Sequence, residues 1–354
     1  MSVVRRKVFL LVVLSLIAFI VLSVLSLSSL VFGAKEASVW EVLASLNRLL
    51  FFGGPISNSL LPPGIDLSLD SILYYSRIPR TIAAILVGSG LAVSGTIMQA
   101  LVRNPLVDPY ISGVSSGAAL GAVLFLLTSW FTGAAQYVSL SVAAFAGGLA
   151  AFTLTFLIYR ASGETSLSFV LGGVIVGVAF SSMTTLVIVT SEKELHGVLF
   201  WIYGSVAYVR WDEVWVLAPV VVSLILVCLL FARLFNVFML GDEQAAQMGV
   251  NVKLFRRGMM ATAALLASVC VAFTGIIGFV GLVVPHMIRL ALGSDHRLLL
   301  PLSSVFGANL LLAADILARV AMKPMELPIG VITSFVGIPF FVYLLVRRGK
   351  KYGM

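Results

Sequence analysis

Apolar residues in this chain gather into ten runs, separated by short breaks marked by charge, glycine or proline. The runs place helices at about 8–32, 80–102, 109–130, 137–159, 167–190, 212–234, 258–276, 278–291, 300–320 and 328–346. Most reach the roughly 20 residues that a helix needs to cross a ~30 Å hydrocarbon core, and the 278–291 run is the shortest. The clearest pair lies between Arg77 and Ala122. An Arg-Ile-Pro-Arg opening at 77–80 leads into one run, Arg103-Asn104-Pro105-Leu106 breaks it, and a second run follows, stepped by glycines. This is a hairpin of two membrane helices around a polar turn.

Composition agrees with the pattern. Of 354 residues, 60% are hydrophobic and 11% charged, with a mean hydropathy of +1.11. A soluble chain of this size cannot hide that much apolar surface. The expected fold is all-α: one polytopic transmembrane domain over residues 1–354, with about ten helices. The first run, from Val8 after Arg5-Arg6-Lys7, is too long for a signal-peptide core and reads as an uncleaved helix.

Charge sets the orientation. With the N-terminus inside, fifteen of the 23 Lys and Arg fall in cytoplasmic positions and eight outside, so both termini are expected in the cytoplasm of a cell-membrane protein. The same bias accounts for the net charge of +8 without nucleic acid as a partner. Two loops are long. The outer loop 33–76 carries Pro55 and Pro62-Pro63, and is expected to be irregular with a short helix near Val39–Leu50. The cytoplasmic loop 235–257 holds a compact helix at Asp242–Met248 between Gly241 and Gly249, acidic at its start as the helix dipole favours.

Small residues recur at the spacing of packed membrane helices, at Gly113, Gly117 and Gly121 and at Gly173 and Gly177; for any one of them ordinary packing suffices. Ser94-Gly95 precedes Pro105 as Thr274-Gly275 precedes Pro285, an echo that an inverted repeat would produce.

Catalytic chemistry finds no footing. Gly113-Val-Ser-Ser-Gly117 matches a nucleophile-elbow pattern, but lies in a glycine-stepped apolar run without a triad. No phosphate-binding loop occurs, and His196, His286 and His296 are scattered without metal-ligand spacing. Cys228 and Cys270 both lie in apolar runs. The chain is read as a non-enzyme with no metal or cofactor of its own. Asp315 and Arg319, one helical turn apart, read as an i,i+4 ion pair inside the bilayer, or alternatively as an outward-facing arginine with its neighbour. Arg77 and Arg80 suit lipid headgroups or, through their forked donors, an acidic partner surface.

Taken together, RIPR at 77–80, SGTIMQALVRNPLVDP at 94–109, SGVSSGA at 112–118, LGDEQAAQMGV at 240–250, GFVGLVVPHMIRLALGSDHRLLLP at 278–301, ADILAR at 314–319 and ELPIGVITSFVGIPFFVYLL at 326–345 resemble the FecCD family. These are the permease subunits of type II ABC importers for ferric siderophores, haem and cobalamin. The likeness covers nearly everything after about residue 70, whereas 33–69 matches nothing in the pattern. It implies a homodimer around a central path, two ATPase subunits below that carry ATP and magnesium, and a soluble substrate-binding protein above. It implies that Arg77, Arg80 and Arg319 receive acidic residues of the binding protein. Gly241, Asp242, Glu243, Ala245, Ala246, Met248 and Gly249 would couple to the ATPase. Asn104 and Leu106, with Thr165 and Ser166, would form the inner gate. A ferric siderophore is the expected ligand, with haem or cobalamin as near alternatives and a small oxyanion more distant. Rivals of another kind are an ATP-independent secondary transporter and an intramembrane enzyme. The first needs intramembrane carboxylates, for which only Asp315 qualifies. The second needs a buried nucleophile and base on facing helices, which the pattern does not supply.

Overall fold

The computed structural model describes residues 3–33, 35, 37–55, 68–127, 139–191 and 196–349. In chain order the helices are α1 (Val3–Val31), α2 (Val39–Phe52), α3 (Ser68–Ile72), α4 (Ile78–Val102), α5 (Val114–Leu127), α6 (Leu140–Ala161), α7 (Ser166–Thr190) and α8 (His196–Ile202). They continue as α9 (Trp211–Leu230), α10 (Ala232–Phe238), α11 (Asp242–Gln247), α12 (Val252–Thr274), α13 (Val280–Leu292), α14 (His296–Val320) and α15 (Ile329–Gly349). A π turn, Leu73–Arg77, fuses α3 to α4, and a 3₁₀ turn, Pro109–Ser112, precedes α5. No strand occurs among the described residues.

Among the described residues, seven helices are long and apolar enough to cross a membrane, and Val114–Leu127, Val280–Leu292 and Ile329–Tyr343 are shorter apolar helices. These ten coincide with the ten apolar runs. The bundle is organised around α4: 83% of its most apolar window is buried, against 6% for α1, which lies at the periphery. α4 packs on α9, α12, α13 and α14. Its small residues let backbones meet, because there is no side chain to hold them apart. A Cβ on Gly88 would lie 2.3 Å from the Gly307 carbonyl oxygen of α14, and one on Gly95 would lie 1.8 Å from that of Gly281 in α13.

Two expectations change. The helix expected from 80 begins at Ser68, because Leu69 and Leu73 bury themselves with Val42 and Leu49 of α2 and so order the end of the long loop as helix. The expected helix near Val39–Leu50 is α2, started by a Ser38–Glu41 capping box; Pro62 and Pro63 lie outside the described residues. The echo at Gly95 and Gly275 is not structural. Gly95 lies inside α4, whereas Gly275 ends α12 at φ +70, and the chain stays unwound until Val280. The unwound stretch finds hydrogen-bond partners elsewhere, as membrane depth demands: the Ile277 carbonyl accepts from the Tyr110 hydroxyl at 2.9 Å.

Candidate functional site

One end of the bundle gathers α10, α11, the turn after α4 and the start of α7. α4 stops at Arg103, which takes the left-handed conformation (φ 55°) and turns the chain toward Asn104. α11 starts from Gly241, whose φ of 126° with ψ 157° is open in practice to glycine alone. Between them, the Asp242 carboxylate accepts from Arg103 Nη2 at 2.6 Å and from Arg256 Nη2 of α12 at 2.6 Å. Arg103 Nη2 also donates to the Phe238 carbonyl at 2.9 Å. The two guanidiniums lie 4.8 and 5.1 Å from the centroid of the buried Phe238 ring, a double cation–π contact. Partial burial pushes the Asp242 carboxyl up, but the hydrogen bonds from Arg256 and Arg103 outweigh it and hold the group below its usual 3.8. A second pair, Glu164 with Arg257, joins the α6–α7 turn to α12 and lowers the Glu164 carboxyl by its hydrogen bond.

The expected gate residues lie at this same end. Asn104 Oδ1 accepts the Leu106 amide at 3.0 Å, which leaves Leu106 exposed at the tip of the turn. Thr165 caps α7 in a reciprocal pair with Ser168, and Ser166 Oγ reaches the Leu101 carbonyl at 3.4 Å. Thr165, Ser166, Asp242, Ala246, Arg103 and Arg256 all line one cavity of about 700 Å³. Of the other residues expected to couple, Ala245 is buried and seats α11, whereas Glu243, Met248 and Gly249 are exposed beside the exposed apolar Leu240. Sequence reasoning missed Arg103, Arg256, Phe238, Glu164 and Arg257. Arg103 directly precedes Asn104, but its partnership with Asp242, 139 residues away, has no sequence signal.

The three arginines expected to meet a binding protein lie together at the opposite end. All three are buried, and the structure spends their donors internally. Arg80 donates to Asp315 Oδ1 at 2.9 Å and to Glu326 at 3.0 Å. Arg319 donates to Asp315 Oδ2 at 2.7 Å, to Ser29 Oγ at 2.6 Å and to the carbonyls of Ser29 and Phe32 at 2.9 and 3.0 Å. Arg77 takes the Leu30 and Val31 carbonyls at 2.6 and 3.0 Å, and that of Lys35. Arg77 and Arg319 therefore cap the carbonyls that end α1, where the helix dipole also favours a cation. The i,i+4 reading of Asp315 with Arg319 is what the geometry holds, with Arg80 as a third member.

Midway along the bundle, a groove of about 430 Å³ runs between the start of α5 and α7. Its lining includes Tyr110, Ser116, Ser181, Ser182 and Thr185, and no charged side chain. Much of the outer face of α7 beside it is bare and apolar, from Leu167 to Val189. Among the described residues, no three His, Cys, Asp or Glu come together as a metal site would require.

Residues 18–347 match the model of the FecCD transport family. The chain is 40% identical over 278 residues to the hemin transport system permease protein HmuU of Yersinia pestis, covering 78% of this chain and 83% of that one. It is 34% identical over 313 residues to the Fe(3+) dicitrate transport system permease protein FecC of Escherichia coli K12, covering 88% and 93%. Among solved structures, a chain of a metal-chelate type ABC transporter in an inward-facing conformation superposes with a TM-score of 0.79 at 29% identity, covering 96% of this chain and 99% of that one. With a match across the buried α4 core and both ends of the bundle, the chain belongs to the FecCD transport family.

Proposed function

We propose that this chain is the membrane permease subunit of an ATP-driven importer that carries an iron chelate, a ferric siderophore in the first instance, delivered by a soluble binding protein. Two copies would enclose the path, and two separate ATPase subunits, holding ATP and magnesium, would dock on the α11 end in the cytoplasm. The observation that carries this reading is the Asp242 bridge. A short exposed helix is tied through one carboxylate to Arg103, the residue on which the Asn104–Leu106 turn pivots.

Movement of a docked ATPase would press on Glu243, Met248 and Gly249. Asp242 would pass the displacement to Arg103 and Arg256, and so to the end of α4 and to α12. The Asn104–Leu106 turn would then move with Arg103 relative to the Thr165–Ser166 cap, across the cavity that Arg103, Thr165 and Ser166 line. ATP can drive this only if the two states bind the ATPase or the cargo differently. The uncharged, hydroxyl-bearing groove of α5 and α7 suits a bulky ligand held by weak contacts. The binding protein would meet the other end, where Arg77, Arg80 and Arg319 hold the surface in shape instead of reaching out from it. Asp315, the carboxylate that an ion-coupled transporter would use, is clamped between two arginines, which argues against that alternative.

The test is reconstitution of the permease with an ABC ATPase and a soluble substrate-binding protein from its own source. Vesicles should accumulate a radiolabelled ferric siderophore only with ATP inside the ATPase compartment. Accumulation of haem or cobalamin instead would keep the importer and change the cargo. Uptake driven by an ion gradient without ATP would overturn the proposal.

A further inference from the structure

The helix α2 has a surface that the transport reading leaves unused. Its buried side is fixed firmly: Val42 and Leu49 pack with Leu69 and Leu73 and with Leu27, Leu30 and Val31 of the last turns of α1. Ser45 Oγ donates to the buried Asp70 carboxylate, and Arg48 clamps it with Nε at 2.9 Å and Nη2 at 2.7 Å. α2 cannot roll without breaking these bonds, so the direction of its other faces is set.

At about 100° per residue, the face opposite the buried one carries Trp40, Leu43 and Phe51, with Val39 and Leu50 on one flank. Trp40 is 80% exposed, Leu50 84% and Phe51 81%. The charged residues Glu41 and Arg48 fall together on the other flank. A helix facing water on this side would carry charge across the whole exposed face. Here charge is confined to one edge, and the exposed arc of about 120° is apolar and aromatic apart from Asn47.

Position names the partner. α2 packs on the end of α1, a span whose outer face is bare and apolar along Leu16, Phe19, Ile20, Val24 and Phe32 and therefore faces lipid. At the same end of the bundle, Trp211 Nε1 donates to the Tyr74 carbonyl, and Tyr75, Tyr208 and Trp215 are exposed beside it. Exposed tyrosine and tryptophan gather where a bilayer meets water. We infer that α2 is an interfacial helix, with Trp40, Leu50 and Phe51 inserted among the acyl chains and headgroups of the leaflet at the Arg77 end and with Glu41 turned to water. The juxtaposition of a bolted inner face, an apolar outer face and the lipid-facing end of α1 carries this. The helix would anchor the rim formed by Arg77 and Arg319 at a constant depth while the bundle moves.

Spin labelling tests the inference on the full chain in lipid vesicles, since Cys228 and Cys270 are both buried and leave the background quiet. Nitroxides placed through Trp40→Cys and Phe51→Cys should relax several-fold more with oxygen than with a water-soluble nickel chelate, and one at Glu41→Cys should show the reverse. Equal access of nickel to all three would place the face in water and overturn the proposal. Protection of positions 40 and 51 from both reagents would also overturn it, because protein, whether residues 56–67, a second copy or a binding protein, would then cover the face. If the cysteine variants do not fold, Trp40→Phe serves. The fluorescence that it removes should be quenched in brominated-lipid vesicles of the unaltered chain, and an unquenched Trp40 component would sink the idea.

Discussion

Replacing Asp315 by alanine removes the one carboxylate shared by Arg80 and Arg319. Both guanidiniums are buried, at 6% and 5% exposure, and Asp315 is wholly buried. Breaking such a pair from one side costs about 3–5 kcal/mol, because the charge left behind has neither water nor a counter-ion. Arg80 keeps Glu326, and Arg319 keeps the carbonyls of Ser29 and Phe32, so the loss should fall near the lower figure. At about 2–4 °C per kcal/mol for chains of 150–250 residues, and less for a longer one, the thermal midpoint of the purified protein should drop by about 5 °C. Asp315→Asn, which keeps an acceptor, should fall between the two. In a double-mutant cycle with Arg319→Met, the pair should be less destabilised than the sum of the singles by about 1–3 kcal/mol, because removing the second charge relieves the first. Melting in detergent, monitored by intrinsic fluorescence, reads all five proteins. A midpoint for Asp315→Ala within about 1 °C of the unaltered protein, or strictly additive singles, would refute the bracing role. It would favour for Arg319 the docking role that the family resemblance implies.

Four further outcomes are expected. Arg103→Ala should leave ATP hydrolysis by the assembled transporter intact but lower uptake per ATP about fivefold, the equivalent of ~1 kcal/mol for a bridge whose carboxylate is nearly half exposed; unchanged stoichiometry would disconnect α11 from the gate. Because the Asp242 carboxyl is depressed in the folded state, its stabilisation is complete above the unfolded value and is lost as pH falls through a folded pKa under 3.8. Asp242→Asn should therefore melt below the unaltered protein by the same margin at about pH 5 and about pH 8, and the gap should close only in stronger acid. Within the Gly173–Gly177 motif, Gly173→Ala would put a Cβ 1.7 Å from the Ile111 carbonyl oxygen and should cost about 1–3 kcal/mol or more, whereas Gly177→Ala meets nothing closer than Ser116 Oγ at 3.6 Å and should be tolerated. Equal yields and melting points would contradict the close approach. Gly241→Ala should uncouple transport by straining the entry to α11, and Gly249→Asn, at φ +83° in open space, should be far milder.

What the sequence determined by itself is what depends on local composition. Hydropathy alone places the ten apolar helices, since each must satisfy its own backbone in lipid whatever its neighbours. Capping chemistry places α2 and α11, since Ser38 with Glu41 and Gly241 with Asp242 are local signals. The family motifs pick out the segments proposed for coupling and gating, and the structure brings Thr165, Ser166, Asp242 and Ala246 to one cavity. What only the tertiary structure decided is where charge goes. Arg80 meets Asp315 across 235 positions and Arg103 meets Asp242 across 139, and such pairings leave no period or spacing to read. The same is true of the glycines: Gly173 and Gly177 look equivalent in sequence, but only Gly173 lies against another backbone. A buried arginine takes whichever carboxylates and carbonyls the fold puts within 3 Å, about. Long-range packing sets that, and a local pattern can name the arginine but not its partner.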